Sequence, residues 1–265
     1  MNNNTISALG QKAVEVISRL SHEEKDIVTA KELDLYLPVG FKYRNKLVYN
    51  LKRKNILIPV KNGVYIFVPL DSVKTGRRIS EFLIPPIFFP EDDYYIGYST
   101  MFNYYNFTDQ QFQTVFVLNP RISRIRTIAG LSFKFIKISP DKLYGLEKII
   151  VKGREIIVSS KERTLVDLIY YNKPAGGIYA AAALLDRFIK EEKCDIKKLI
   201  KYASRFPVAK TRKFIGMSLE KTGVSETLLK PLEKSVRNTA LISFSNDRKG
   251  IINKKWGVIS HDSHR

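Results

Sequence analysis

The sequence predicts an α/β (α+β) protein in two parts, an N-terminal winged helix-turn-helix and a mixed C-terminal domain with an antiparallel sheet and helices. Three observations carry this. Residues 42–54 hold six positive charges and no negative one, on a segment with helical apolar spacing. An Asn62-Gly63 hairpin signal follows between two short apolar runs. Further on, strand-like alternation begins at Gln113 and gives way to helical spacing at Ser159. A chain of 265 residues is longer than one wing module needs. The expected division is 1–70 for the winged helix, 71–90 for a linker and 91–265 for the second domain.

Residues 4–20 place Ile6, Leu9, Ala13, Val16, Ile17 and Leu20 on one helical face, with Asn4 or Thr5 available as a cap. Thr29 opens a second, short helix with Glu32 three residues on, the capping-box arrangement, and Pro38-Val39-Gly40 breaks it. A third helix is expected from Phe41 to Lys54. At about 100° per residue, Tyr43, Leu47 and Leu51 share one direction, while Lys42, Asn45, Lys46, Tyr49, Lys52 and Arg53 cluster opposite. The apolar face packs on the earlier helices, leaving a cationic face for phosphates and base edges. ILIPV and VYIFV then form two strands joined at Lys61-Asn62-Gly63, with Lys61 at the tip.

The segment 71–95 contains three prolines, Arg77-Arg78 and the acidic run Glu91-Asp92-Asp93. A short helix from Arg77 to Ile84 is expected, stopped by Pro85-Pro86. Gly97 to Phe107 predicts an aromatic helix that starts near Ser99 or Thr100. Strands follow at QTVFVLN, ISRIRTIAG, LSFKFIKIS and KIIVKGREIIVSS, with a turn at Lys152-Gly153 or Gly153-Arg154. Beyond Ser160 come helices in RTLVDLIYY, IYAAAALLDRFIKEE, DIKKLIKYASRF and KTRKFIGMSLEKTG, the last closed by Gly223. SETLLKPLEKSV follows, then two weak strands, LISFS and WGVIS.

Net charge is +19: +5 in residues 1–70, +3 in 71–160 and +11 in 161–265. A field of this sign favours polyanions. Cys194 is the only cysteine, which excludes an internal disulfide and a cysteine-built metal site. No uncharged apolar run approaches 18 residues and the first residues lack a signal-peptide pattern, so a bacterial cytoplasmic protein is expected. The three histidines, His22, His261 and His264, make no zinc or protease motif, and no glycine-rich phosphate loop is present. The expectation is no enzyme, no cofactor and no metal. A metal-dependent nuclease built on Glu91-Asp92-Asp93 is the weakest alternative. Arg163 and Asp167 share a helical face, either as a recognition pair or as an ion pair that anchors the helix on the sheet. Tyr104, Tyr105 and Phe107 are either a binding platform or core. No heptad seam points to a dimer, so a monomer is expected.

The winged-helix start, YIGYSTMFNYYNF, QTVFVLNPR, SFKFIKIS and IIVSSKERTLVDLIYYNKPAGGI together resemble the AbiEi family of antitoxins, from bacterial abortive-infection (type IV) toxin–antitoxin systems. The similarity spans residues 5–225. Its distinctive parts are Gly97-Tyr98-Ser99, the strand block, and Ser160-x-x-Arg163-Thr164-Leu165-x-Asp167-Leu168 followed by Gly176-Gly177. The resemblance implies a repressor that binds inverted repeats at its own promoter and counters a nucleotidyltransferase-type toxin in phage defence. It maps the DNA-contacting helix onto Lys42–Lys54 and the wing onto Ile56–Val68. It also implies a role for basic residues of the second domain. The basic candidates there are Arg187, Lys197, Lys198, Lys201, Lys210, Arg212 and Lys213, and the Arg163–Asp167 pair is a further candidate for that surface. Whether toxin and antitoxin touch stays open, and the tail past residue 225 has no counterpart. A ligand-responsive transcriptional regulator without a toxin partner is the alternative.

Overall fold

A computed structural model describes residues 10–36, 41–70, 80–243 and 250–260. The chain is mixed α/β and divides into two compact units, 1–84 with 126–131, and 85–125 with 132–265. Outside the described residues lie the caps Asn4 and Thr5, the apolar Ile6 and Leu9, the Pro38-Val39-Gly40 break, Arg77-Arg78, and His261 and His264.

The first unit begins with α1 (Gln11–His22), which buries Ala13, Val16, Ile17 and Leu20 as their spacing predicts. After it, β1 (Ile27–Thr29), a strand not foreseen in the sequence, leads into α2 (Ala30–Tyr36). Thr29 and Glu32 close the expected capping box. The Glu32 amide donates to Thr29 Oγ1 at 3.2 Å, and the Thr29 amide donates to Glu32 Oε2 at 2.7 Å. Burial pushes the Glu32 carboxyl up, but these bonds and the Lys25 ammonium outweigh it and hold the group below its usual 4.5. Next comes α3 (Phe41–Arg53). Asn55, at φ 55°, turns the chain out of it, and the Ile56 amide reaches back to the Leu51 carbonyl at 3.0 Å. Strands β2 (Leu57–Lys61) and β3 (Val64–Phe67) make an antiparallel hairpin, and β1 pairs on the far side of β3. Within the turn only Gly63 (φ 70°) is left-handed; Asn62 is not, and a register shift between Pro59 and Lys61 absorbs the difference.

The second unit contradicts one expectation at its start. Pro85-Pro86 does not stop a helix; it begins one, α4 (Pro85–Phe88), after a single 3-10 turn at Glu81–Leu83. Proline is accepted in a first helical turn because its missing N–H has no partner there. Strand β4 (Tyr95–Gly97), also unforeseen, leads through Tyr98 (φ 52°) into α5 (Ser99–Tyr104). This helix is shorter than expected, since Asn106 is left-handed and the Phe107 amide closes on the Phe102 carbonyl at 2.8 Å. Strands β5 (Thr114–Asn119), β6 (Arg124–Ile128), β7 (Leu131–Lys137), β8 (Leu146–Val151) and β9 (Arg154–Ser159) complete a sheet of order β6-β7-β5-β4-β9-β8. Its β4–β5 and β8–β9 pairs are antiparallel, while β4–β9 and β5–β7 are parallel. Lys152 and Gly153 both have positive φ and form the turn between β8 and β9.

Helix α6 (Lys161–Tyr170), capped by Ser160, is buried from Glu162 through Ile169. Around it pack α7 (Ile178–Lys190), α8 (Ile196–Arg205), α9 (Ala209–Lys221) and α10 (Glu226–Val236). The tail adds β10 (Ile242–Ser243), β11 (Ile251–Asn253) and β12 (Val258–Ser260), in the order β10-β12-β11. Trp256 fixes this small sheet to α9. It is wholly buried, and its indole N–H donates to Glu220 Oε2 at 2.7 Å. The indole occupies the space above Gly216, where an added Cβ would stand 2.2 Å from Trp256 Cζ3. Gly216→Ala is therefore expected to destabilise the protein by about 1–3 kcal/mol through overpacking. Urea unfolding should show this, with a larger loss than for Gly10→Ala, where no atom lies within 4 Å of the added Cβ and the backbone, at φ −58°, accepts a side chain.

Candidate nucleic-acid interface

The geometry of α3 is set by its buried side. Leu47, Val48 and Leu51 enter the core with Ala13, Val16, Ile17 and Leu20 of α1. Arg44 ties the helix to α2 by a fork of bonds to both Asp34 oxygens, at 2.8 and 2.6 Å. Tyr43 was expected inward and is not: it is 43% exposed, with Lys12 Nζ 5.4 Å from its ring centroid. Val48 takes the inward place. The buried arc is thus rotated by about half a residue step, because Arg44 on the same flank is half-buried through its ion pair.

Opposite that arc, Lys42, Asn45, Lys46, Tyr49, Lys52 and Arg53 are exposed, and Lys54 is half-exposed at the helix end. The expected cationic face therefore exists. Tyr49 is 57% exposed, and the Arg53 guanidinium lies 5.9 Å from its ring centroid. Tyr43 and Asn50 join this side, and no charge pattern marked them in advance. Together with Gly10, just before α1, and Ala13 within it, residues Tyr43, Lys46, Asn50, Arg53 and Lys54 line an open groove of about 510 Å³. Lys61 is exposed on the hairpin, one register position before the turn.

The second-domain candidates separate into two groups. Arg163, Asp167 and Lys213 are 3, 0 and 1% exposed, so a role for them as a contact surface is corrected. Arg163 donates from Nε to Asp167 Oδ1 at 3.2 Å, from Nη1 to the Lys142 and Tyr144 carbonyls at 3.2 and 3.0 Å, and from Nη2 to the Tyr95 hydroxyl at 2.9 Å. Its guanidinium also stacks on Tyr144. Burial disfavours the charged form of Arg163, but the Asp167 carboxylate above all, with Tyr95 and Tyr144, outweighs it and raises its pKa. Asp167 Oδ2 has no hydrogen-bond partner, and burial raises that carboxyl despite Arg163. Lys213 Nζ donates to the Ala240 and Gly257 carbonyls at 2.7 and 3.1 Å, and burial lowers its pKa. Arg212 is half-buried and donates to the Phe206 carbonyl at 3.0 Å.

Arg187, Lys197, Lys198, Lys201 and Lys210 are exposed. On α8, Lys197, Lys198, Lys201 and Arg205 occupy one side, with Leu199, Ile200 and Ala203 buried opposite. Of the aromatic candidates, Phe107 is core and Tyr104 is 46% exposed, so the trio makes no shared platform. Asp93 is paired with Arg121. Among the described residues no group of three His, Cys, Asp or Glu is placed to hold a metal ion. No described helix is long and apolar enough to cross a membrane.

No protein-family model matches the chain, and no curated protein does. Among solved structures, the crystal structure of the Rv2827c protein from Mycobacterium tuberculosis is similar, with a TM-score of 0.65 at 14% identity. The match covers 95% of this chain and 92% of that one. At such identity the likeness bears on the fold alone.

The Arg163–Asp167 pair carries its own expectation. Asp167→Leu leaves a buried guanidinium without its anion and should lower stability by about 3–5 kcal/mol. Arg163→Met combined with Asp167→Leu should recover most of that loss in urea unfolding. Equal losses in the single and double variants would show that the pair is not the source.

Proposed function

We propose that this protein binds double-stranded operator DNA through a winged helix-turn-helix, and acts as antitoxin and autorepressor of a type IV toxin–antitoxin operon in the bacterial cytoplasm. The observation that carries the DNA-binding part is the two-sided character of α3: Leu47, Val48 and Leu51 are held in the core, and Lys42, Asn45, Lys46, Tyr49, Lys52 and Arg53 are left exposed on the other side. In this reading α3 enters the major groove. The cations neutralise phosphates, Asn45, Lys46 and Tyr49 reach base edges, and Lys61 on the β2–β3 hairpin meets the adjacent backbone. The exposed Lys197, Lys198 and Lys201 supply a second cationic face. The toxin-countering part rests on the AbiEi resemblance over residues 5–225, and the toxin would be a nucleotidyltransferase. No catalytic role belongs to this reading. A ligand-responsive regulator is the second reading, favoured by a cavity lined by Tyr170, Lys210, Thr211 and Phe214.

Binding to duplex from the promoter of its own operon, followed by fluorescence anisotropy over a salt series, tests the first part. Lys52→Ala should weaken binding to every duplex and flatten the log–log salt slope by about one unit. Asn45→Ala should instead narrow the gap between operator and scrambled duplex, by about 1–3 kcal/mol. Binding that ignores salt, or that both substitutions leave intact, sinks the assignment of α3.

The antitoxin part is tested in cells. Co-expression is expected to rescue growth arrested by the product of the adjacent gene, with rescue retained by the Lys52→Ala variant. Arrest that persists despite soluble antitoxin would leave a DNA-binding regulator and remove the toxin.

A further inference from the structure

The first turn of α9 is electrostatically unusual. It carries no acidic residue, and its N-cap, Val208, supplies no side-chain bond. Lys210 and Arg212 stand there instead, where helix N-termini normally favour negative charge. The amides of Ala209, Lys210 and Thr211 have no intrahelical acceptor by position. The first amide to find one is that of Arg212, on the Val208 carbonyl at 3.3 Å. Positive field and free donors therefore concentrate at one point.

A cavity of about 300 Å³ opens at that point, walled by Tyr170, Ile178, Val208 and Phe214. No acidic residue lines it. Thr211 does line it, and although this side chain is only 3% exposed, its hydroxyl has no hydrogen-bond partner among the described residues. The hydroxyl is not sealed off from solvent, so what it faces is the cavity, and an acceptor there is its natural complement. Lys210, exposed at the rim, holds its ammonium 5.9 Å from the Phe214 ring centroid.

We propose that the start of α9 binds a small phosphate-bearing molecule with a flat apolar body. Three amides, one hydroxyl and one ammonium make a donor set that three terminal phosphate oxygens can satisfy, whereas a carboxylate offers only two oxygens. The body lies against Tyr170 and Phe214. This site belongs wholly to the second unit and uses none of the residues of the DNA-binding reading.

Titration of the full-length protein with phenyl phosphate, inorganic phosphate and benzoate, followed by amide NMR at physiological ionic strength, tests this. Phenyl phosphate should saturate, with shifts centred on Ala209, Lys210 and Thr211. It should bind about tenfold more tightly than benzoate, and more tightly than inorganic phosphate, which lacks the body. Thr211→Val and Lys210→Ala should each weaken it by about tenfold, the effect of one charge-assisted hydrogen bond. Lys230→Ala, a change at an exposed lysine of α10, should leave it unchanged. Lys210→Ala alters an exposed side chain and keeps the test decisive should Thr211→Val unfold. Unsaturated shifts scattered over the lysine-rich surface would overturn the proposal. So would benzoate matching phenyl phosphate, or affinity unmoved by Lys210→Ala.

Discussion

The cost of removing charge from water sorts the cations of this chain, and that sorting underlies every functional statement about it. A buried ion that lacks partners is unfavourable by several kcal/mol, so each interior charge must be met by a specific arrangement. Arg163 meets it with Asp167, two carbonyls and the Tyr95 hydroxyl. Lys213 meets it with two carbonyls of the tail. Arg44 does so more modestly, through Asp34. These cations hold elements in place and are not available to a polyanion. The exposed lysines and arginines, among them those on one side of α3 and one side of α8, are what the chain can present to a partner.

This distinction also decides which parts of the site were legible in the sequence. The wheel arithmetic for α3 identified the exposed side correctly because its lysines and Asn45 fall on one arc. Its error at Tyr43 has a plain cause. A tyrosine counts as apolar in periodicity, yet its hydroxyl is satisfied in water, and the half-buried Arg44 on the other flank pulled the buried arc away from it. Lys213 was misplaced as a surface candidate because residue type alone favours exposure. Arg163 was expected either at a surface or as an ion pair with Asp167 that anchors the helix, and the ion pair is what forms. Spacing did hint at Arg163, since Asp167 lies four residues on and apolar residues fill every other side of α6. Nothing of the kind hinted at Lys213, whose partners are backbone carbonyls 27 and 44 residues away in sequence.

The strands that escaped notice share a character. β1, β4 and β11 are each three residues long, too short for alternation to register. Long-range pairing creates them: β1 adds to the far side of β3, and β4 is central in the larger sheet. For β4 the constraint is local as well. Gly97 ends it where the Tyr95 ring leaves 2.7 Å for a Cβ, so the glycine expected to open a helix lies in the strand, and the helix begins at Ser99. By contrast, the Thr29–Glu32 capping box and the Lys152-Gly153 turn were legible, because both are satisfied within a few residues.

The tail illustrates how local signals can understate a segment. WGVIS is weakly strand-like and rich in small or apolar residues, with nothing to say what it packs on. In the fold, Trp256 fills the space that Gly216 leaves on α9, while the carbonyls of Ala240 and Gly257 receive the Lys213 ammonium. The same helix face thereby gains its apolar contact and its charge compensation from one segment. With Lys213 held on that side, the first turn of α9 is left with Lys210 and Thr211 toward the cavity. The tail therefore has a bearing on that cavity without lining it: it fixes the rotation of the helix whose first turn does.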